Sequence, residues 1–195
     1  AATWPNGLAS ASPRCDIGSR RSVNLTMIRI LAATAILICA SAHAFDLQGH
    51  RGARGLAPEN TLPGWKQALE LGVDTIECDM AITRDDVVVV HHDLRLNADT
   101  TRGPDGVWLE APGPYIAELT FEELRQYDVG RLKPGTKYAD EFKDQVPVDG
   151  TRIPRLSDLF DTVKQSANTK VGVDCEIKVD PTNRAATRPP EEIAA

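Results

Sequence analysis

Positive charge is in short supply in this sequence. Across 195 residues, 22 Lys and Arg face 28 Asp and Glu, a net of −6. An acidic chain with no basic run has no electrostatic footprint for nucleic acid, so a nucleic-acid partner is excluded. Long apolar runs are missing as well. The stretch Ile30–Ala40, broken only by Thr34, falls well short of the about 20 apolar residues that a spanning helix needs. The four cysteines form no C-x-x-C pair, which removes a zinc ribbon or a thioredoxin-type site. G-x-S-x-G, H-E-x-x-H, Walker and G-x-G-x-x-G patterns are all absent, and serine hydrolase, zincin and nucleotide-binding readings go with them. What remains is a 42% apolar, 26% charged chain with the composition and length of one ordinary globular domain.

The first residue is alanine and the first methionine is Met27. Arg29 gives a short positive start, the apolar run follows, and Ala42-His43-Ala44 fits the small-x-small pattern of a signal-peptide cleavage site. A leader is therefore expected over 27–44, with 1–26 as upstream translation outside the fold and 45–195 as the folded part. Removing 1–44 takes four bases and one acid, leaving 18 bases against 27 acids. The expected location is periplasmic or secreted, with no stable membrane anchor after cleavage. Cys78 and Cys175 survive cleavage, and an oxidising compartment would permit a disulfide between them if their backbones come close enough.

Strand and helix signals alternate from Phe45 onward, which predicts an α/β architecture. Phe45–His50 reads as a strand running into a glycine-rich turn. Thr61 is a helix N-cap and Gly72 a C-cap, with Leu62, Trp65, Ala68, Leu69 and Leu71 at near-helical spacing. Val73–Ile82 and Val87–His91 are strands around an Arg84-Asp85-Asp86 turn. Residues 97–118 and 128–155 are irregular, the second an inserted lobe, and Thr120 caps a short helix between them. Ser157 is expected to cap a helix with Leu159, Phe160 and Val163 on one face. Val171–Ile177 is the last strand, and Pro189-Pro190-Glu191-Glu192 opens a further helix.

Chemistry concentrates at strand ends. In Glu77-Cys78-Asp79 the period of two puts both carboxylates on one face and Cys78 on the other. Paired carboxylates suit a hard cation such as Ca²⁺ or Mg²⁺, and Glu176 on the last strand offers a third oxygen ligand beside Lys178. Only His50, His91 and His92 remain after cleavage. His50 and His92 stand at strand ends and suit general acid–base work, with Asp93 placed to orient its neighbour. His91 reads as a surface residue beside a turn, and Trp65 as core packing. Arg51 and Lys178 supply fixed positive charge for a phosphate oxyanion, or else surface ion pairs.

Taken in order, Gly49-His50-Arg51-Gly52, Pro58-Glu59-Asn60-Thr61, Glu77-x-Asp79, Thr83-Arg84-Asp85, Val87–Val90 into His92-Asp93, and Glu176-Ile177-Lys178 resemble the glycerophosphodiester phosphodiesterase family over about Leu47–Asp180. The resemblance implies the N-terminal part of a (β/α)8 TIM-type barrel, C-terminally truncated. It also implies one divalent cation, Ca²⁺ or Mg²⁺, on Glu77, Asp79 and Glu176. His50 and His92 become the acid–base pair, Arg51 and Lys178 the phosphate ligands, and Glu59 a loop-ordering residue. The implied reaction is hydrolysis of a small glycerophosphodiester to glycerol 3-phosphate and an alcohol. Two other readings stand beside it: a phospholipase D-like member of the superfamily acting on lysolipid, and a surface module that binds metal without catalysis. An open half-barrel would leave strand edges unpaired and its apolar interior exposed, so this stretch alone is expected to aggregate, dimerise or stay partly unfolded, and the sequence specifies no oligomeric state.

Overall fold

Thr61 and Gly72 bracket the first helix as their residue types demand. In the computed structural model, which describes residues 45–168, 170–183, 186, 187 and 189 together with Thr26 and Arg29, helix α1 spans Leu62–Leu71. The Thr61 hydroxyl accepts from the Gly64 N–H, Pro63 sits in the first turn, and Gly72 closes the helix in the left-handed region at φ 76°. The described residues from Phe45 onward form one unit. The expected leader lies outside the described residues apart from Arg29, and so does most of the helix expected after Pro189. Among the described residues no helix is long and apolar enough to cross a membrane.

Strand β1 (Gln48–Gly49) is followed by α1, β2 (Thr75–Ile82) and β3 (Val88–Val90). A 3-10 turn at Ile116–Glu118 and short helices α2 (Phe121–Leu124) and α3 (Lys137–Glu141) come next. Helix α4 (Leu156–Gln165) and strand β4 (Gly172–Ile177) complete the order. β2 is the hub of the sheet. β1 pairs with it in parallel, Gln48 opposite Thr75, and β4 pairs in parallel on the other side, Asp79 opposite Glu176. β3 returns antiparallel along the β1 edge, with Met80 opposite Val90. The hairpin turn places Asp86 at φ 65°, a left-handed position that Asp tolerates.

Alternation along β2 separates packing from chemistry. Ile76 and Cys78 are fully buried against Trp65 and Ala68 of α1 and Leu159 of α4, with Cys175 at the margin. Glu77 and Asp79 face the opposite way, as their spacing predicts. A second core joins Ala81 and Val89 to Leu96, Ile116, Phe121, Leu124 and Ile153, so the 97–118 and 128–155 segments rest on the sheet through apolar anchors.

Several sequence expectations need correction. The first strand is only two residues long, because the Leu47 N–H donates to the Asp74 side-chain carboxylate in place of a ladder partner. The cap of α4 is Arg155, whose N–H donates to the Asp158 carboxylate at 2.9 Å, so Ser157 lies inside the first turn. Leu159 is buried but Phe160 remains 41% exposed, off the packed face. His91 is buried, its ring held to the Asp93 carbonyl at 2.8 Å and its N–H given to the Asp79 carbonyl at 2.9 Å. The inserted lobe contains a helical turn, α3, whose cap Thr136 accepts from Ala139 N–H at 3.2 Å.

Candidate active site

The Gly49–Gly52 turn delivers two side chains from the end of β1. Arg51 adopts φ 53° and Gly52 φ 83°, and this tight bend aims the Arg51 N–H at Glu77 Oε2, 2.6 Å away. Gly52 has no room for a side chain: a Cβ there would stand 2.9 Å from the Gly64 carbonyl carbon, where α1 presses on the turn. His50 Nε2 lies 3.7 Å from the same Glu77 oxygen. Its Nδ1 accepts from Arg54 Nη2 at 3.0 Å. Burial and then the charges of Arg54 and Arg51 hold the His50 imidazole below its ordinary value.

Glu77, Asp79 and Glu176 meet because β2 and β4 run in register. One oxygen from each lies within 4.8 Å of the others, with Glu77 and Asp79 buried and Glu176 exposed. Burial pushes the Glu77 carboxyl up, against the pull of the Arg51 N–H. Burial also opposes ionisation of Asp79, but hydrogen bonds from Asn60 and Lys178 outweigh it and the carboxyl falls below its usual range. Asn60 Nδ2 donates to Asp79 Oδ2 at 2.7 Å, and Arg51 Nε stands 3.5 Å from that oxygen. Lys178 Nζ sits 3.0 Å from Asp79 Oδ1 and 2.7 Å from Glu176 Oε1. Asp79 Oδ1 and Arg51 Nε are both buried: the Lys178 ammonium is the charge that meets Oδ1, and Arg51 Nε stands at ion-pair distance from Oδ2. A buried carboxylate needs such compensating charge. Three anionic oxygens this close together also suit a hard cation.

His92 follows β3 and donates from Nδ1 to Asp93 Oδ1 at 2.7 Å. Burial works against ionisation of Asp93, yet the hydrogen bonds from His92 and Asn97 hold its carboxyl down at about 2. An ionised Asp93 only accepts, so His92 carries a proton on Nδ1, and the neutral ring would have its lone pair on Nε2. His92 and Lys178 line one cleft of about 630 Å³ with Asp93, Tyr115 and Asp180. The seven residues singled out in the sequence thus gather around the carboxyl ends of the strands, where α/β scaffolds place their chemistry.

A family model described as the glycerophosphoryl diester phosphodiesterase family matches residues 50–194. The chain belongs to that family. A glycerophosphodiester phosphodiesterase of Caldanaerobacter subterraneus is 35% identical over 114 residues, covering 58% of this chain and 38% of its own. The crystal structure of a Silicibacter pomeroyi protein named for glycerophosphoryl diester phosphodiesterase activity superposes with a TM-score of 0.67 at 39% identity. It matches 70% of this chain and 46% of that one. An Oleispira antarctica phosphodiesterase, solved with the product sn-glycerol-3-phosphate, is 26% identical with a TM-score of 0.50, over 73% and 48% of the two chains. This chain thus spans well under half the length of the Caldanaerobacter relative. Within the phosphodiesterase family, β1, α1, β2, α4 and β4 are the N-terminal part of the (β/α)8 TIM-type barrel, and β3 is a hairpin return, not a barrel strand.

Sequence reasoning missed three residues at this site. Arg54 grips His50, Tyr138 of α3 reaches the Glu59 carboxylate, and Asn97 supports Asp93. Arg54 lies four residues after His50 in a turn, a spacing that could have drawn notice. Tyr138 stands 79 residues from Glu59 in sequence, and no local pattern announces such a contact.

Proposed function

We propose that the protein to which this chain belongs is an exported, divalent-cation-dependent phosphoric diester hydrolase. It splits glycerophosphodiesters into glycerol 3-phosphate and an alcohol. The observation that carries the reading is the convergence of three carboxylate oxygens within 4.8 Å of one another, with Lys178 and Arg51 against Asp79 and His50 against Glu77. Glu77, Asp79 and Glu176 would hold a hard cation, Ca²⁺ or Mg²⁺, since every ligand is an anionic oxygen. Bound there, the cation supplies positive charge against the phosphoryl oxygens.

The side chains of this chain do the rest. Arg51 and Lys178 bind the phosphate and offset the negative charge that grows on it. His92, with its Nε2 lone pair exposed by the Asp93 contact, takes the proton of the attacking hydroxyl. His50, with Nδ1 already occupied by Arg54, hydrogen-bonds the leaving oxygen through its Nε2–H, while the departing alkoxide takes its proton from water and His92 returns to solvent the one it took. The positive guanidinium against Nδ1 makes that N–H a stronger donor. Export is supported by the Met27–Ala44 leader pattern.

The test uses the whole protein with glycerophosphocholine as substrate. Release of glycerol 3-phosphate that EDTA abolishes, and that excess Ca²⁺ or Mg²⁺ restores, is the expected result. Cation binding without turnover would leave a binding module in place of an enzyme. Faster turnover of lysophosphatidylcholine than of glycerophosphocholine would move the activity to a lysolipid.

A further inference from the structure

One hydroxyl of the inserted lobe meets two of the residues around the site. Tyr138 of α3 donates to Glu59 Oε2 and accepts from Arg54 Nη1 at 3.4 Å. Glu59 uses its other oxygen to hold Arg51 Nη1 at 2.9 Å, and Arg54 uses its other terminal nitrogen to hold His50 Nδ1 at 3.0 Å. One phenol oxygen therefore lies at the head of two short chains of contacts, one ending on a phosphate-binding guanidinium and the other on an imidazole.

We infer that Tyr138 is a positioning residue that sets Arg51 through Glu59 and His50 through Arg54. The inference rests on the roles given to Arg51 and His50 under the proposed function. The geometry of the lobe is built to keep the hydroxyl in place. Tyr138 and Phe142 pack edge to face at 5.0 Å between ring centroids, and the Arg54 guanidinium lies 4.5 Å from the Phe142 ring centre. Two further bonds tie the lobe to the turn: Gln145 Nε2 donates to the Arg54 carbonyl at 2.8 Å, and the Val146 N–H to the Leu56 carbonyl at 2.9 Å. Arg54 can thus neither drift into solvent nor rotate away from His50 without breaking contacts on two sides.

The chemistry at each end is specific. An arginine has donors only, so its bond to His50 Nδ1 requires a bare nitrogen there and places the proton of the neutral ring on Nε2, the nitrogen facing Glu77. A guanidinium held by one carboxylate oxygen at a fixed angle keeps its Nε toward Asp79, where it is buried 3.5 Å from Oδ2. Loss of the hydroxyl frees Glu59 and Arg54 together, and both reacting groups lose their orientation. Outer partners of this kind are worth roughly 10–100-fold in affinity or activity.

The experiment compares Tyr138→Phe with the parent in the whole protein. The variant keeps the ring against Phe142 and removes one oxygen. A rise in KM for glycerophosphocholine and a fall in kcat, each about tenfold, with an unchanged melting temperature, is expected. Long-range ¹H–¹⁵N NMR of the His50 ring should show the Nε2–H tautomer in the parent and a tautomer mixture in Tyr138→Phe. Kinetic constants and ring shifts equal to those of the parent would overturn the inference. Arg54→Met separates the limbs, because it removes the partner of His50 and leaves Tyr138 on Glu59. It should lower kcat with KM held, and an equal loss in both would overturn the two-limb arrangement. If the parent hydrolyses no phosphodiester, the functional reading fails alone, and the His50 ring shifts still decide what Tyr138 positions.

Discussion

Asp79 is the residue on which most of the site's contacts meet: Asn60, Arg51 and Lys178 each reach one of its oxygens. Asp79→Asn keeps the shape and removes the charge, so Ca²⁺ or Mg²⁺ affinity should fall at least about tenfold in a calorimetric titration. The fold should survive, since Asn60 can still pair with an amide oxygen. Asp93 gives the pH-dependent counterpart. Its carboxyl is held at about 2 in the folded chain, against about 3.9 for an unfolded aspartate. A carboxyl depressed in the native state stabilises it above the unfolded value, and that contribution disappears as pH falls through the folded one. Asp93→Asn should therefore lower the melting temperature near pH 6, and the gap to the parent should close between about pH 4 and 2. A gap that persists at pH 2 would mean that the His92 and Asn97 contacts act through packing and not charge.

The elements stand or fall on their caps and close approaches. Thr61 is fully buried, accepts from Gly64 N–H at 3.2 Å and donates to the Pro58 carbonyl at 2.5 Å. Thr61→Ala strips α1 of its cap and the Pro58-Glu59-Asn60 turn of its anchor, and should cost about 1–2 kcal/mol in urea unfolding. Ser157→Ala offers the contrast. The sequence motif suggests a cap, but the structure puts that role on Arg155, so the change should stay within about 0.5 kcal/mol. Gly64 is the tightest point of α1: a Cβ there would meet the Pro58 carbonyl oxygen at 2.4 Å. Gly64→Ala should destabilise by about 1–3 kcal/mol despite alanine's higher helix propensity, because two backbones must separate.

At the scale of the whole molecule, β2 is shared by everything else. Its outward face packs α1 and α4, and its inward face presents Glu77 and Asp79. Cys78 and Cys175 are register partners on the packed face, with Sγ atoms 3.4 Å apart as free thiols. That pairing supplies the closeness that the sequence left open. If the protein is exported as proposed, N-terminal sequencing of material recovered outside the cytoplasm should begin at or near Phe45. A start at Met27 would remove the leader, and with it the case for an oxidising compartment.

Much of this arrangement is legible in the residue order. Thr61, Gly72 and Thr120 act through neighbours three or four positions away, and the period-two face of Glu77-x-Asp79 is a local property of any strand. The motif order also carries the family, and with it His50, Arg51, His92, Glu176 and Lys178. Other features required the tertiary structure. Ser157 loses its cap because Arg155 bridges to Val89 and sets where α4 begins. His91 is buried because the hairpin folds back on β2. Arg54 and Tyr138 acquire their roles only when the 128–155 lobe is laid on the Gly49–Gly52 turn, a contact across roughly eighty residues. Short-range capping and alternation are written in spacing. Long-range hydrogen bonds depend on which surfaces the apolar anchors bring together, and spacing does not encode that.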